Sequence, residues 1–440
     1  MRPSLSLYLE WLFAVCIAAC LIWHAWFLNE FGYLAPPFFY APSATFMDWF
    51  ATTIWSYDEG RYDNWQTLYP PLSFSLTRLL SVSTCYTRGT NGDEVRDCDW
   101  LGYVGIGTFF TINTILTLIA LRRIDRTTAW PRWFALSFGL PMIYGFERGN
   151  LLLPTFTFLL IAFTPLVRSA RLRWLALGMA INMKVYLVSM LFPQLLKRRW
   201  RWFEGALVFT VLVYVGSYLH IGNGSPREVV DNLVAVSGPI LTSSFLDGWY
   251  AMTYAPFMGA LQSDFIPIVG IIGSDAVEGL LFLLPLLQRL TQALIALAAL
   301  AVWLRPEAVP MTLVTLLGLL MALVTQETGG YTGMFLLLFV FMQRWEGIGR
   351  PIAIIMCYIL AIPGDIIIDR LAPAVDESFL SGGTVSFQYA LILGPFIRPL
   401  LVQITAVSIA ASVISMVRRD FAANPGGWRQ RFAKEPLAAR

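Results

Sequence analysis

A series of apolar runs, each close to the width of a bilayer and separated by short clusters of charge, constrains this chain more than any other feature. The first extends from about Leu9 to Leu28, and a helix of that length, at ~1.5 Å per residue, crosses a hydrocarbon core of roughly 30 Å. Further runs lie near 101–121, 133–147, 150–167, 203–221, 279–304, 308–325, 331–343, 351–368 and 389–417. Each is expected to be helical, because a backbone that spans lipid must satisfy its own hydrogen bonds. Charged residues make up only 13% of the chain and hydrophobic ones 57%, whereas a soluble domain is about a quarter charged. Outside 29–100 and 222–278 no hydrophilic stretch is long enough for a soluble domain. One membrane domain over 1–440, with two elaborated loops, is the expectation.

Sorting the charges orients the runs. The segments 122–132, 168–173, 197–204, 305–307, 343–350 and 418–440 carry 20 basic and 6 acidic residues, while 29–100, 222–278 and 365–388 carry 6 basic and 19 acidic. Basic residues collect on the cytoplasmic side of membrane proteins, so the first group is expected inside and the second outside. The stretch 174–196 is flanked by basic clusters at both ends. It therefore reads as a hairpin of two short helices with its tip near Asn182–Lys184. An all-α polytopic protein of about 10–12 transmembrane helices follows, with both termini and the tail 418–440 cytoplasmic. Trp11, Trp23 and Trp26, and the lack of a small-residue cleavage site, make the first run a retained anchor rather than a signal peptide.

The first outer loop, 29–100, is rich in tryptophan, tyrosine and proline and is expected to have structure of its own. Within it, Pro70 to Val82 reads as an interfacial helix opened by its prolines. Cys85 and Cys98 both fall in this loop, where an external disulfide and two unpaired thiols remain open alternatives. No internal repeat is visible, which disfavours an inverted-repeat transporter.

Charges at membrane depth need a reason, since each costs on the order of 3 kcal/mol. Glu147 and Arg148 lie in IYGFERGNLLLP, Lys184 in INMKVYLVSMLFP and Arg398 in LGPFIRPLLV, with Arg289 in LLQRLTQ as a further candidate. Each read singly is an ion pair or a snorkelling base; together they suit a cationic pocket for the phosphate of an anionic lipid. Acidic partners come from Asp48 in TFMDWFATTIW and from Asp58, Glu59 and Asp63 in YDEGRYDNW. Trp49, Trp55, Tyr57, Trp65 and Tyr69 are placed either to stack on sugar faces or to form an interfacial aromatic belt. The two histidines, His24 and His220, are far apart in sequence, and no phosphate-cradling or dinucleotide motif occurs. Nucleic acid is not an expected partner.

In order along the chain, Asp48, TLYPPL at Thr67–Leu72, FERGN at Phe146–Asn150 and MKVY at Met183–Tyr186 resemble the glycosyltransferase C superfamily. The likeness spans roughly 40–200 and is greatest to bacterial mannosyl- and arabinofuranosyltransferases that use polyprenyl-phosphate sugars. It extends distantly to the catalytic subunit of the first GPI mannosyltransferase. Leu187 stands where that family usually has proline. The resemblance implies an inverting transferase in a bacterial inner or plasma membrane. Its site would face outward, its donor would be a polyprenyl-phosphate sugar such as mannose, and its acceptor a lipid or glycan. Asp48 takes the position of the family's catalytic aspartate. Arg148, Lys184, Arg398 and Arg289 are then candidates for the donor phosphate, with Glu147, Asn150, Tyr69, Tyr186 and Asp63 in support. No cofactor is required, while a divalent metal on Asp58, Glu59 and Asp63 stays open. A flippase or transporter of lipid-linked saccharide, and a polymerase of such saccharides, are the competing classes.

Overall fold

The computed structural model describes residues 5–38, 41–87, 91–237, 251–261, 268–325 and 327–424. Most of the tail 418–440 and part of the loop 222–278 therefore lie outside the described residues. The chain opens with the long helix α1 (Leu5–Phe31). Three shorter helices follow, α2 (Met47–Tyr57), α3 (Pro71–Leu79) and α4 (Gly92–Cys98), before the long α5 (Trp100–Ile124). Next come α6 (Ala129–Phe138), α7 (Leu140–Glu147), α8 (Leu152–Phe163), α9 (Ala170–Met183) and α10 (Phe192–Leu196). The long α11 (Trp200–Ile221) leads through α12 (Pro226–Ser237), α13 (Ala255–Leu261) and α14 (Ile268–Ile272) to α15 (Ser274–Leu304). After α16 (Met311–Thr325), α17 (Gly333–Phe341) and α18 (Gly349–Ala361), strands β1 (Ile367–Ser378) and β2 (Gly383–Ile392) form an antiparallel hairpin ahead of α19 (Gly394–Ala423).

Among the described residues, five helices are long and apolar enough to cross a membrane: α1, α5, α11, α15 and α19. Their exposed residues are those a soluble protein buries, including Val15, Ile22, Val211, Leu212, Phe282 and Leu290. The rest of the expected ten to twelve spans are shorter pieces. The run 133–147 is not one helix but two, because Gly139 departs from helical geometry and Pro141 starts the next turn. Of the shorter pieces, α17 is enclosed by protein, every one of its residues being buried. The stretch 174–196 turns where expected: α9 stops at Met183 and Lys184 takes an extended conformation. Its second arm is a 3₁₀ turn over Val185–Leu191 followed by α10 rather than one α-helix.

The hairpin corrects the expectation of helix throughout and of a span beginning at residue 389. Val385 and Phe387 are buried between exposed neighbours, the two-residue period of a strand with one covered face. Gly382, at φ +67°, supplies the turn. The hairpin leans on the first loop: Ser43 Oγ donates to Asp376 Oδ2 at 2.8 Å, and the Phe379 ring stacks 6.2 Å from Tyr103.

The segment 29–100 contains the short helices α2, α3 and α4. Pro71 opens α3 in the first-turn position that proline favours. Asn91 caps α4 by accepting from Glu94 N at 2.8 Å, and Asp99 caps α5. Cys85 and Cys98 are joined, with Cα atoms 5.8 Å apart. At the other end of the body, the carboxylate of Glu10 is fully buried and receives Arg132 at 2.7 Å, together with Tyr358 at 2.9 Å and Trp345. This pair fastens α1 and α6 to α18.

Candidate functional site

The FERGN segment and the start of α2 are built against each other residue by residue. Thr45 Oγ1 donates to Glu147 Oε1 at 3.0 Å, and Phe46 N donates to the Glu147 carbonyl at 2.7 Å. Asp48 N donates to the Arg148 carbonyl at 3.0 Å. Gly149 sits at φ +63°, and a Cβ there would lie 3.0 Å from the Phe46 carbonyl oxygen. Only glycine allows both that conformation and that approach. Phe46 itself holds φ +64°, an unfavourable conformation for a side chain of its size, and is secured by rings from Tyr103, Phe146 and Phe379.

These contacts deliver the Asp48 carboxylate to a defined place. Asn150 Nδ2 donates to its Oδ2 at 2.6 Å, while Asn150 Oδ1 accepts from Leu152 N at 3.0 Å and so fixes which way the amide points. Arg148 Nη2 stands 3.7 Å from Asp48 Oδ1. That exceeds the ~2.7–2.9 Å of a closed charge-assisted bond. The Asp48 side chain keeps 27% of its surface accessible and Arg148 10%. The carboxylate is thus oriented by Asn150 on one oxygen and faced by Arg148 on the other, and stays partly accessible.

Lys184 reaches the same neighbourhood from the tip of the 174–196 hairpin. Its Nζ donates to Tyr69 Oη at 3.2 Å and lies 4.4 Å from the centre of that ring. Tyr69 is held by its backbone, since its carbonyl accepts from Tyr62 Oη at 2.9 Å. Burial pushes the Tyr62 phenol well above its ordinary range, so it remains a donor. The Tyr186 hydroxyl is buried and has no hydrogen-bond partner among the described residues.

Tyr331 feels the charges of Asp48 and Arg148 and the phenols Tyr69 and Tyr186, and its ring stacks on Tyr144 at 5.6 Å. Gly329, at φ +76°, makes room for that ring. Glu327 steadies the segment by accepting from Gly329 N at 2.8 Å and from Thr253 N at 2.9 Å and Oγ1 at 2.6 Å. Sequence reasoning missed both residues. The available signal was TGGYTG at the head of an apolar run, where three glycines surround one aromatic.

The other expected site residues separate into two groups. Arg398 is ion-paired with Asp365 at the base of the hairpin and lines a small cleft with Tyr144 and Gly330, one side chain away from Tyr331. Arg289 is exposed on α15 and Asp63 is exposed after α2. Among the described residues, neither shares a hydrogen bond or ion pair with Asp48, Arg148 or Lys184. Trp49 is fully buried and forms the floor beneath α2, so it is not available to stack on a sugar. Trp65 is exposed and donates to Asp58 Oδ2 at 2.6 Å, while Gly60 N occupies Asp58 Oδ1 at 2.8 Å. Among the described residues, no group of three His, Cys, Asp or Glu side chains gathers as a metal-binding set. Chemically, the cluster offers one oriented carboxylate able to accept a proton, two cations able to hold an anion, and phenols between them.

No protein-family model, curated protein or solved structure matches the chain.

Proposed function

We propose that this protein is an integral membrane glycosyltransferase. It moves a sugar, mannose or a close relative, from a polyprenyl phosphate to a lipid- or glycan-linked acceptor on the extracytoplasmic face, with inversion at the anomeric carbon. One observation carries the reading: the Asp48 carboxylate is oriented by Asn150 and faced by Arg148, although the last two come from a distant part of the chain, and Lys184 is held nearby in the fold on Tyr69, a residue of the same loop as Asp48. An ordinary solvated loop acid needs no such support. A carboxylate held from one side beside Arg148, with Lys184 presented on Tyr69 of the same loop, is suited to a reaction that removes a proton and releases a phosphate.

In this mechanism the acceptor hydroxyl loses its proton to Asp48 while its oxygen attacks the anomeric carbon. The bond from that carbon to the phosphate oxygen breaks, and the electron pair leaves with the polyprenyl phosphate. Phosphate is already a good leaving group, so the general acid that hydrolysis of a glycosidic ether requires has no counterpart here. Arg148 and Lys184 hold the negative charge on the departing oxygens, and their positions are set before reaction. The Tyr186 hydroxyl, which has no hydrogen-bond partner among the described residues, supplies a further donor, and burying such a group without a partner costs about 1–3 kcal/mol until a ligand oxygen relieves it. Arg398, already paired with Asp365, holds the hairpin rather than the phosphate.

The test is transfer of radiolabelled sugar from a panel of synthetic polyprenyl-phosphate sugars by purified protein and by its Asp48→Asn variant, with membrane-lipid acceptors. Transfer by the wild type, lost in the folded variant with donor binding kept, supports the assignment. Absence of transfer from every donor, together with protein-dependent movement of a lipid-linked sugar across vesicles, replaces it with a flippase.

A further inference from the structure

A second feature opens at the opposite, basic end of the helical body and runs along it. Between α15, the start of α18 and α19 runs a groove of about 700 Å³. Its walls are largely apolar, from Leu287, Ile352, Leu400, Ile404 and Val407. A polar strip follows α19 through Gln403, Ser408, Ser412 and Ser415 and ends at Arg419, opposite Arg350. The back of the groove is closed where Gly349 meets the Ser408 carbonyl so tightly that a Cβ would collide. Leu400 and Arg419 belong to the same helix, and at ~1.5 Å per residue they stand about 28 Å apart. The groove is therefore as long as a hydrocarbon core is thick.

The charge at its mouth selects the occupant. Two guanidinium groups, Arg350 and Arg419, face one carboxylate, Glu346. That carboxylate is engaged by Arg350 at 2.9 Å. The next acid along α19, Asp420, is paired with Arg305 at 3.5 Å. Arg344 and Arg418 are exposed alongside. The mouth is thus net cationic, above walls that only an acyl chain would wet.

We propose that this groove binds one anionic phospholipid, its headgroup phosphate held by Arg350 and Arg419 and its chain laid along α19. The proposal rests on the membrane assignment and is independent of the transferase activity. Guanidinium groups at the end of an apolar channel recognise a phosphodiester by charge and by paired donors. Basic groups near the inner surface of a membrane favour anionic over zwitterionic lipid.

The experiment reconstitutes the full chain in nanodiscs containing photoactivatable phosphatidylglycerol or photoactivatable phosphatidylcholine at equal mole fraction, and maps the labelled peptides. The phosphatidylglycerol probe should label 346–352 and 400–419 about 30-fold more than the phosphatidylcholine probe, on the scale expected of two basic groups. The Arg350→Gln/Arg419→Gln variant should bring the two probes level. Ala411→Trp, which fills the groove without altering its charge, should remove labelling of these segments by both. Arg419→Gln alone serves should the double variant not fold. Equal labelling of the wild type by both probes overturns the proposal, as does full phosphatidylglycerol labelling in Ala411→Trp.

Discussion

Replacing Arg132 with methionine tests what holds the first helix to the body. Glu10 is fully buried, and its carboxylate accepts from Arg132 Nη2 at 2.7 Å and Nε at 3.0 and 3.1 Å. Arg132 Nη1 also donates to the Phe341 and Gln343 carbonyls at 2.6 and 2.7 Å, satisfying the end of α17. Methionine in its place leaves an ionised carboxylate in a dry site with only the Tyr358 hydroxyl and the Trp345 indole as donors. Breaking a buried pair from one side costs about 3–5 kcal/mol. Glu10→Met strands the opposite charge and should cost a similar amount. The Glu10→Met/Arg132→Met double variant strands neither charge, so its loss should resemble one single variant rather than the sum, a coupling of about 3 kcal/mol or more. Unfolding in mixed micelles of mild detergent and dodecyl sulfate, followed by tryptophan fluorescence, measures all four species. Single losses that add to within about 0.5 kcal/mol in the double variant would refute the reasoning.

Three further outcomes are expected. Cys85→Ser/Cys98→Ser should destabilise the segment between α3 and α5 by about 3 kcal/mol, the scale for releasing a loop of this size, seen as faster hydrogen exchange there; unchanged exchange would remove the bridge from any structural role. Asn150→Ala frees the Asp48 carboxylate from a charged hydrogen bond with a typical worth of about 1.5–3 kcal/mol. Its transfer rate should fall roughly 10- to 100-fold with little change in donor KM, whereas a large KM change with kcat intact contradicts an orienting role. Gly149→Ala places a methyl against Phe46 at a conformation costing about 1–2 kcal/mol. Transfer should fall more than thermal stability does, and retention of full activity would show that the FERGN turn does not set the position of Asp48.

The helical character of the chain and its long apolar helices were legible from residue order alone, because apolar length is a one-dimensional quantity. Interruptions were legible where the interrupting residue is itself the cause, as at Lys184 and at Pro71. The hairpin over 367–392 was not. Its alternation at Val385 and Phe387 is short, and it runs directly into the apolar start of α19, so that a strand and the head of a span look alike in sequence. The division of 133–147 was obscured in the same way, as Gly139 inside an apolar run has no single meaning.

For the candidate site, intramembrane charge nominated Arg148 and Lys184 and an acid in an aromatic loop nominated Asp48, because each is improbable without a reason, while Asn150 entered only through the resemblance of FERGN to a family motif. Only the tertiary structure decided which of the nominated charges meet. It brought Asp48 to Arg148 and Asn150, placed Lys184 on Tyr69, gave Arg398 to Asp365, and left Arg289 and Asp63 outside. It alone revealed Tyr331 and Glu327, whose neighbours lie far away along the chain. The physical reason is the reach of the interactions involved. Membrane partition depends on each segment's own composition, whereas a hydrogen bond or ion pair acts over about 3–4 Å and is settled only when distant segments have packed.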